Sequence, residues 1–133
     1  MARKNTLFSL IFTSRGKDIG ILLLRLLSGS MMITHGIAKV SNFAELSTTF
    51  ADPIGLGSKL SLLLIIAAEV GGAILIITGT ITRLAALALM FGMGVAAFIA
   101  HSPFTLSGSE LPLLYLVVFT ALLLTGGGRF SVD

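Results

Sequence analysis

Cysteine is missing altogether, and charge is scarce: only 11% of the 133 residues are Asp, Glu, Lys or Arg. Without thiols the chain can form no disulfide, no thiolate zinc site and no iron–sulfur cluster of its own, and its redox compartment is left open. Any redox role has to borrow a cofactor. So little charge excludes an ordinary soluble domain, in which about 25% of residues are charged. The formal net charge of +3 comes from basic residues scattered among helix ends and loops, so no nucleic-acid surface is expected. What fills the chain instead is 55% hydrophobic residues at a mean hydropathy of +1.03, the composition of an integral membrane protein whose main partner is the lipid bilayer. Fifteen Gly and five Met suit helices that approach closely and pack by shape.

The spacing of apolar runs predicts an all-α, four-helix membrane bundle with spans at about 19–39, 59–79, 82–101 and 110–125. Each is long enough, at 1.5 Å per residue, to cross most or all of a hydrocarbon core of roughly 30 Å, the fourth being the shortest. Residues 1–18 place Arg3, Lys4, Arg15 and Lys17 around a short apolar run, which reads as a cytoplasmic amphipathic lead-in, with one domain over 19–133. Phe43, Leu46 and Phe50 recur at helical spacing and predict an interfacial helix between spans 1 and 2, ended by Pro53, Gly55 and Gly57. Ser58 and Ser109 are candidate N-caps. Spans 2 and 3 are joined by so few residues that they must form an antiparallel hairpin.

Positive charge orients the bundle. With the N-terminus inside, the cytoplasmic segments hold Arg3, Lys4, Arg15, Lys17, Arg83 and Arg129, six residues, against Lys39 and Lys59 outside, which puts both termini in the cytoplasm. Arg83 and Arg129 then read as topology anchors. Arg25, His35 and Lys39 share one side of the first span with Gly29, Met32 and Gly36, a face that lipid does not tolerate, so partners of opposite charge are required. Glu69, the one charge in the second span, is the expected partner of Arg25. On the third span Met90, Gly94 and Ala97 line up between Arg83 and His101, and on the fourth Glu110 leads Leu114, Val117 and Ala121. His35, Glu69, His101 and Glu110 are therefore expected to line one pocket open to the outer leaflet. Imidazole–carboxylate hydrogen bonds that tie the helices are the commoner use of such groups, ahead of a metal site or bis-histidine haem ligation. No metal is assigned.

The run Arg25-Leu26-x-x-Gly29, then His35-Gly36-x-x-Lys39, Glu69 before Gly71-Gly72, Gly79 before Arg83, His101, Glu110, and the ending Gly-Gly-Gly-Arg129-Phe-Ser131-Val-Asp133 resembles the DoxX family of small membrane proteins. The resemblance covers 19–133 and implies a multi-pass prokaryotic inner-membrane protein of four helices. It also implies quinone as the non-covalent cofactor and ligand of that pocket, and a membrane subunit of an oxidoreductase that works with a soluble partner, with self-association a further expectation. The alternative is a non-catalytic scaffold or small-molecule permease whose buried polar groups only pack the bundle.

Overall fold

The first helix starts before the apolar run does. In the computed structural model, which describes residues 14–100 and 103–133, α1 spans Ser14–Ser41. Arg15, Lys17 and Asp18, expected in the lead-in, are instead its opening turns; no proline interrupts that stretch, and Arg and Lys are good helix formers that offset Gly16. The lead-in before residue 14 lies outside the described residues. After α1 comes a single short turn of helix, α2 (Phe43–Leu46), where the longer interfacial helix was expected. Two main-chain bonds, from Ser47 to Phe43 and from Phe50 to Leu46, carry the coil on to Phe50.

The second span, α3 (Ser58–Thr78), begins and ends within one residue of expectation. Its N-cap is Gly57, with φ 93°, because the Ser58 hydroxyl donates to the Phe50 carbonyl (2.8 Å) and so holds the preceding loop. Its other end closes on Gly79 at φ 73°, with the Gly79 N–H on the Ile76 carbonyl and the Thr80 N–H on the Leu75 carbonyl, the two bonds of a Schellman motif. The third span, α4 (Thr82–Val95), continues as a π-helical segment over Ala96–Ala100, a widening that no sequence signal announces. The fourth, α5 (Glu110–Thr125), has 16 residues, about 24 Å of helix. Ser109 does precede it, but its hydroxyl donates to the Ala97 carbonyl (2.6 Å), tying α5 to the π segment rather than capping its own helix.

Among the described residues three helices are long and apolar enough to span a membrane, and α5 is a shorter apolar one. Each packs beside its sequence neighbours, α1 on α3, α3 on α4 and α4 on α5, and a lighter contact of α5 with α1 closes the ring. Met32, Ala73, Ile76, Ala86, Leu89 and Phe119, drawn from all four, form the fully buried centre. Glycine sets the approach of α1 to α3: a Cβ on Gly36 would lie 2.5 Å from Val70, and one on Gly29 would lie 3.1 Å from the Ala73 carbonyl. Gly94, which the sequence places on a helix-packing seam, has open space where its Cβ would stand. The outward faces carry Leu23, Leu27, Leu84, Phe91, Val117 and Leu124, as lipid contact demands.

Candidate functional site

The polar groups form two layers at opposite ends of the bundle. At one end Arg25, 1% exposed, donates to four main-chain carbonyls: Nε to Ile76 (2.9 Å), Nη2 to Ile77 (2.8 Å), and Nη1 to both Gly127 (3.0 Å) and Phe130 (2.7 Å). The carbonyls of Ile76 and Ile77 belong to the last turn of α3, where helical partners run out and the macrodipole favours a cation. Arg83 does the same for α5, donating to Leu123 (3.0 Å) and Leu124 (3.4 Å). The tail 126–133 is drawn into this layer: the Asp133 N–H meets the Gly79 carbonyl (2.9 Å), and the Asp133 carboxylate accepts from the Thr82 N–H (3.1 Å) at the start of α4. The nearby Thr82 side chain first, then the N–H groups of Thr82 and Ile81, hold the Asp133 carboxyl below the usual carboxylate range. Arg129 is exposed, and its main-chain N–H bonds Asp18 (3.2 Å).

The expected Arg25–Glu69 pair is therefore not formed. Glu69, 1% exposed, is bound by Lys39 through both oxygens, at 3.0 and 3.1 Å. The reason is register. Gly36 packs at the level of Glu69 and Val70, whereas Arg25 lies opposite Ile76, seven residues and about 10 Å farther along α3. Depth counted from the predicted ends put Arg25 too near, because α3 extends beyond the end of α1 at the Ser58 end.

Around that ion pair lies a cavity of about 310 Å³. Lys39 and His35, four residues apart on α1, Glu69 of α3, Met93 of α4 and Tyr115 of α5 all line it, and the loop from Phe50 to Leu56 roofs it. The His35 and Tyr115 rings meet edge to face, with centroids 5.7 Å apart and planes at 89°, while Tyr115 stacks on Phe119 one turn along (5.9 Å). Among the described residues the Tyr115 hydroxyl, on a side chain in a residue only 5% exposed, has no hydrogen-bond partner. The roof is fastened by Asp52, whose carboxylate accepts from the N–H groups of Leu56 and Gly57 (both 2.8 Å) and from the Ser61 hydroxyl (3.1 Å). These bonds, that of Gly57 first, keep the Asp52 carboxyl below its ordinary range.

Of the four residues expected in one pocket, His35 and Glu69 are brought together; His101 lies outside the described residues. Glu110 is exposed at the start of α5 and does not line the cavity. The buried stripe of α5 is Tyr115, Phe119 and Leu122, while Leu114 and Val117 of the expected seam face outward. An almost wholly apolar helix carries no sequence signal of which face turns in. Lys39 and Tyr115 are the site residues that reading missed. Tyr115 does stand out as the one tyrosine, a polar handle in the middle of an apolar span.

Four apolar helices carry a buried Arg25 at one end and a buried Glu69 paired with a half-buried Lys39 at the other, and the DoxX family profile matches residues 20–102. The chain belongs to the DoxX family. This DoxX protein is 30% identical over 121 residues to the inner membrane protein YqjF of Escherichia coli, covering 88% of the chain and 92% of the relative. It is also 33% identical over 117 residues to an uncharacterized protein of Haemophilus influenzae, with 83% and 85% covered. No solved structure matches it. The family and the apolar spans make it a multi-pass protein of the prokaryotic inner membrane.

Proposed function

We propose that this DoxX protein is a quinone-interacting membrane subunit and that the headgroup sits in the cavity beside Lys39 and Glu69. The observation that carries this reading is the Tyr115 hydroxyl. A buried donor left unpaired costs about 1–3 kcal/mol, and in a bilayer no bulk water is at hand to relieve it, so a shift of the Tyr115 ring that brings this closed-off hydroxyl to a carbonyl oxygen in the cavity gains a bond that the empty protein lacks. The cavity supplies the rest of what such a ring requires: apolar walls from Met32 and Met93, an aromatic edge in His35, and an ammonium–carboxylate pair able to hold a proton. A bound quinone contributes two-electron, two-proton redox capacity; Tyr115 orients its head, and the Lys39–Glu69 pair and His35 stand where a proton is given or taken. The electrons come from a partner oxidoreductase, since the chain carries no thiol for an iron–sulfur centre. The scaffold alternative draws its support from the other layer, because all four hydrogen bonds of Arg25 go to main-chain carbonyls of the chain itself.

Titration of the purified protein with decylubiquinone, together with redox difference spectra, tests the reading. Tyr115→Phe is expected to weaken binding roughly tenfold, the equivalent of one hydrogen bond, while raising the melting temperature of the ligand-free protein because the stranded hydroxyl is gone. Quinone affinity unchanged in both Tyr115→Phe and Glu69→Gln overturns it.

A further inference from the structure

The cavity wall is open on the lipid side. Leu64 of α3 and Phe91 of α4 line it, yet they are 53% and 62% exposed on the outer surface of the bundle. Between these two helices Gly92 leaves the room that Ile65 uses: a Cβ on Gly92 would come 2.5 Å from Ile65 Cδ1. Ala88, also exposed and also part of the lining, keeps the crevice shallow-walled. On the other side the loop that roofs the cavity is held in place by Asp52, which ties it to Leu56, Gly57 and Ser61, with Ile54 exposed on it. Among the described residues the charges lining the cavity are Lys39 and Glu69, and they already neutralise each other. A second charge there would be unpaired in a low-dielectric site, which is costly. Besides that pair the interior offers the His35 imidazole, the Tyr115 ring with its unpaired hydroxyl, and hydrocarbon.

We propose that the occupant enters sideways from the bilayer between α3 and α4 and is an amphiphile with an uncharged, hydrogen-bonding head. The head meets the Tyr115 hydroxyl, and the tail leaves between Leu64 and Phe91 into lipid. A volume of about 310 Å³ is at the small end of ligand pockets, which suits a head with its first tail carbons and leaves a long chain outside. This rests on the cavity being a ligand site but not on the head being a quinone.

The chain has no tryptophan and one tyrosine, so tyrosine emission from the intact protein reports on this wall alone. In phosphatidylcholine vesicles doped with nitroxide-labelled phosphatidylcholine, Tyr115 is expected to be quenched several-fold more than by aqueous acrylamide. Ala88→Phe and Gly92→Leu, which fill the crevice, should each cut the lipid quenching at least threefold; Ala88→Phe, at an exposed wall, serves where Gly92→Leu does not fold. Dodecanol added to the vesicles should relieve the quenching, and dodecyl phosphate and dodecylammonium should not. Stronger quenching by acrylamide, lipid quenching unchanged in Ala88→Phe, or equal relief by the charged amphiphiles overturns the proposal. Decylubiquinone titration separates the two readings: crevice-dependent lipid quenching without quinone binding removes the quinone and keeps the lateral route, and quinone binding without lipid quenching does the reverse.

Discussion

Arg25 is a buried cation of α1 and Lys39 a half-buried one, and they answer the cost of burial differently. Lys39 meets a carboxylate, so the pair is neutral as a unit, and removing one partner strands the other. Lys39→Met, which strands the buried Glu69 carboxylate, is expected to cost about 3–5 kcal/mol, Glu69→Leu less because Lys39 keeps part of its exposure, and the double variant markedly less than the two single losses together, in a thermal-unfolding cycle on detergent-solubilised protein. Arg25→Leu combined with Glu69→Leu should instead simply add, because these two side chains share no hydrogen-bond partner and lie at different levels of α3. Arg25 keeps its charge and spreads it over four carbonyls that lie in different directions, which only a planar fork of donors can reach. Arg25→Lys is therefore expected to be disruptive, by on the order of 2–4 kcal/mol, since an ammonium reaches fewer of those oxygens and leaves the others unsatisfied. A melting temperature within a degree or two of the parent would contradict the assignment.

Among the elements, the glycines divide by what their missing side chain makes room for. Gly79 ends α3 in the left-handed region at φ 73°, and a Cβ there would meet Ser131 and lie 2.8 Å from Arg25 Nη2. Gly79→Ala must both strain the turn and push the tail off the end of α3, so a loss of about 2 kcal/mol or more is expected. Gly94→Ala, in contrast, meets nothing within 4 Å inside a helix, and exchanging Gly for Ala there should be neutral or stabilising by up to about 1 kcal/mol. Unfolding midpoints of the two variants side by side are the check, and equal effects would remove the distinction. The π segment at Ala96–Ala100 and its tie through Ser109 to Ala97 belong to this scale too: they are a local change of helical pitch that links α4 to α5 where the intervening loop turns back.

Taken whole, the molecule has one end knit by main-chain carbonyls and the C-terminal tail, and another that holds a cavity under a tethered loop. Among the described residues Arg15, Lys17, Arg83 and Arg129 on the side of the tail stand against Lys39 and Lys59 on the side of the cavity, and from this asymmetry we propose that both termini are cytoplasmic and the cavity lies in the outer half of the membrane. An alkaline phosphatase fusion after Asp133 is expected to be inactive and a cytoplasmic reporter there active; the opposite pattern inverts the bundle and puts the cavity in the inner half.

Hydropathy and punctuation were enough to define the class, the number of helices and three of the four spans to within a residue or two at most ends, because the bilayer fixes how long an apolar run must be and Gly and Pro fix where it stops. They were also enough to single out Arg25, His35 and Glu69 as groups that lipid would reject. Which of them meet was decided by tertiary structure alone. Lys39 rather than Arg25 reaches Glu69 because α1 and α3 are offset along their axes, an offset set by Gly29 and Gly36 packing against side chains of α3. Tyr115 rather than Glu110 enters the site because α5, apolar on every side, takes its facing from shape. A sequence states how far each residue lies along its own helix; the relative height and rotation of neighbouring helices are set by contacts between residues far apart in the chain.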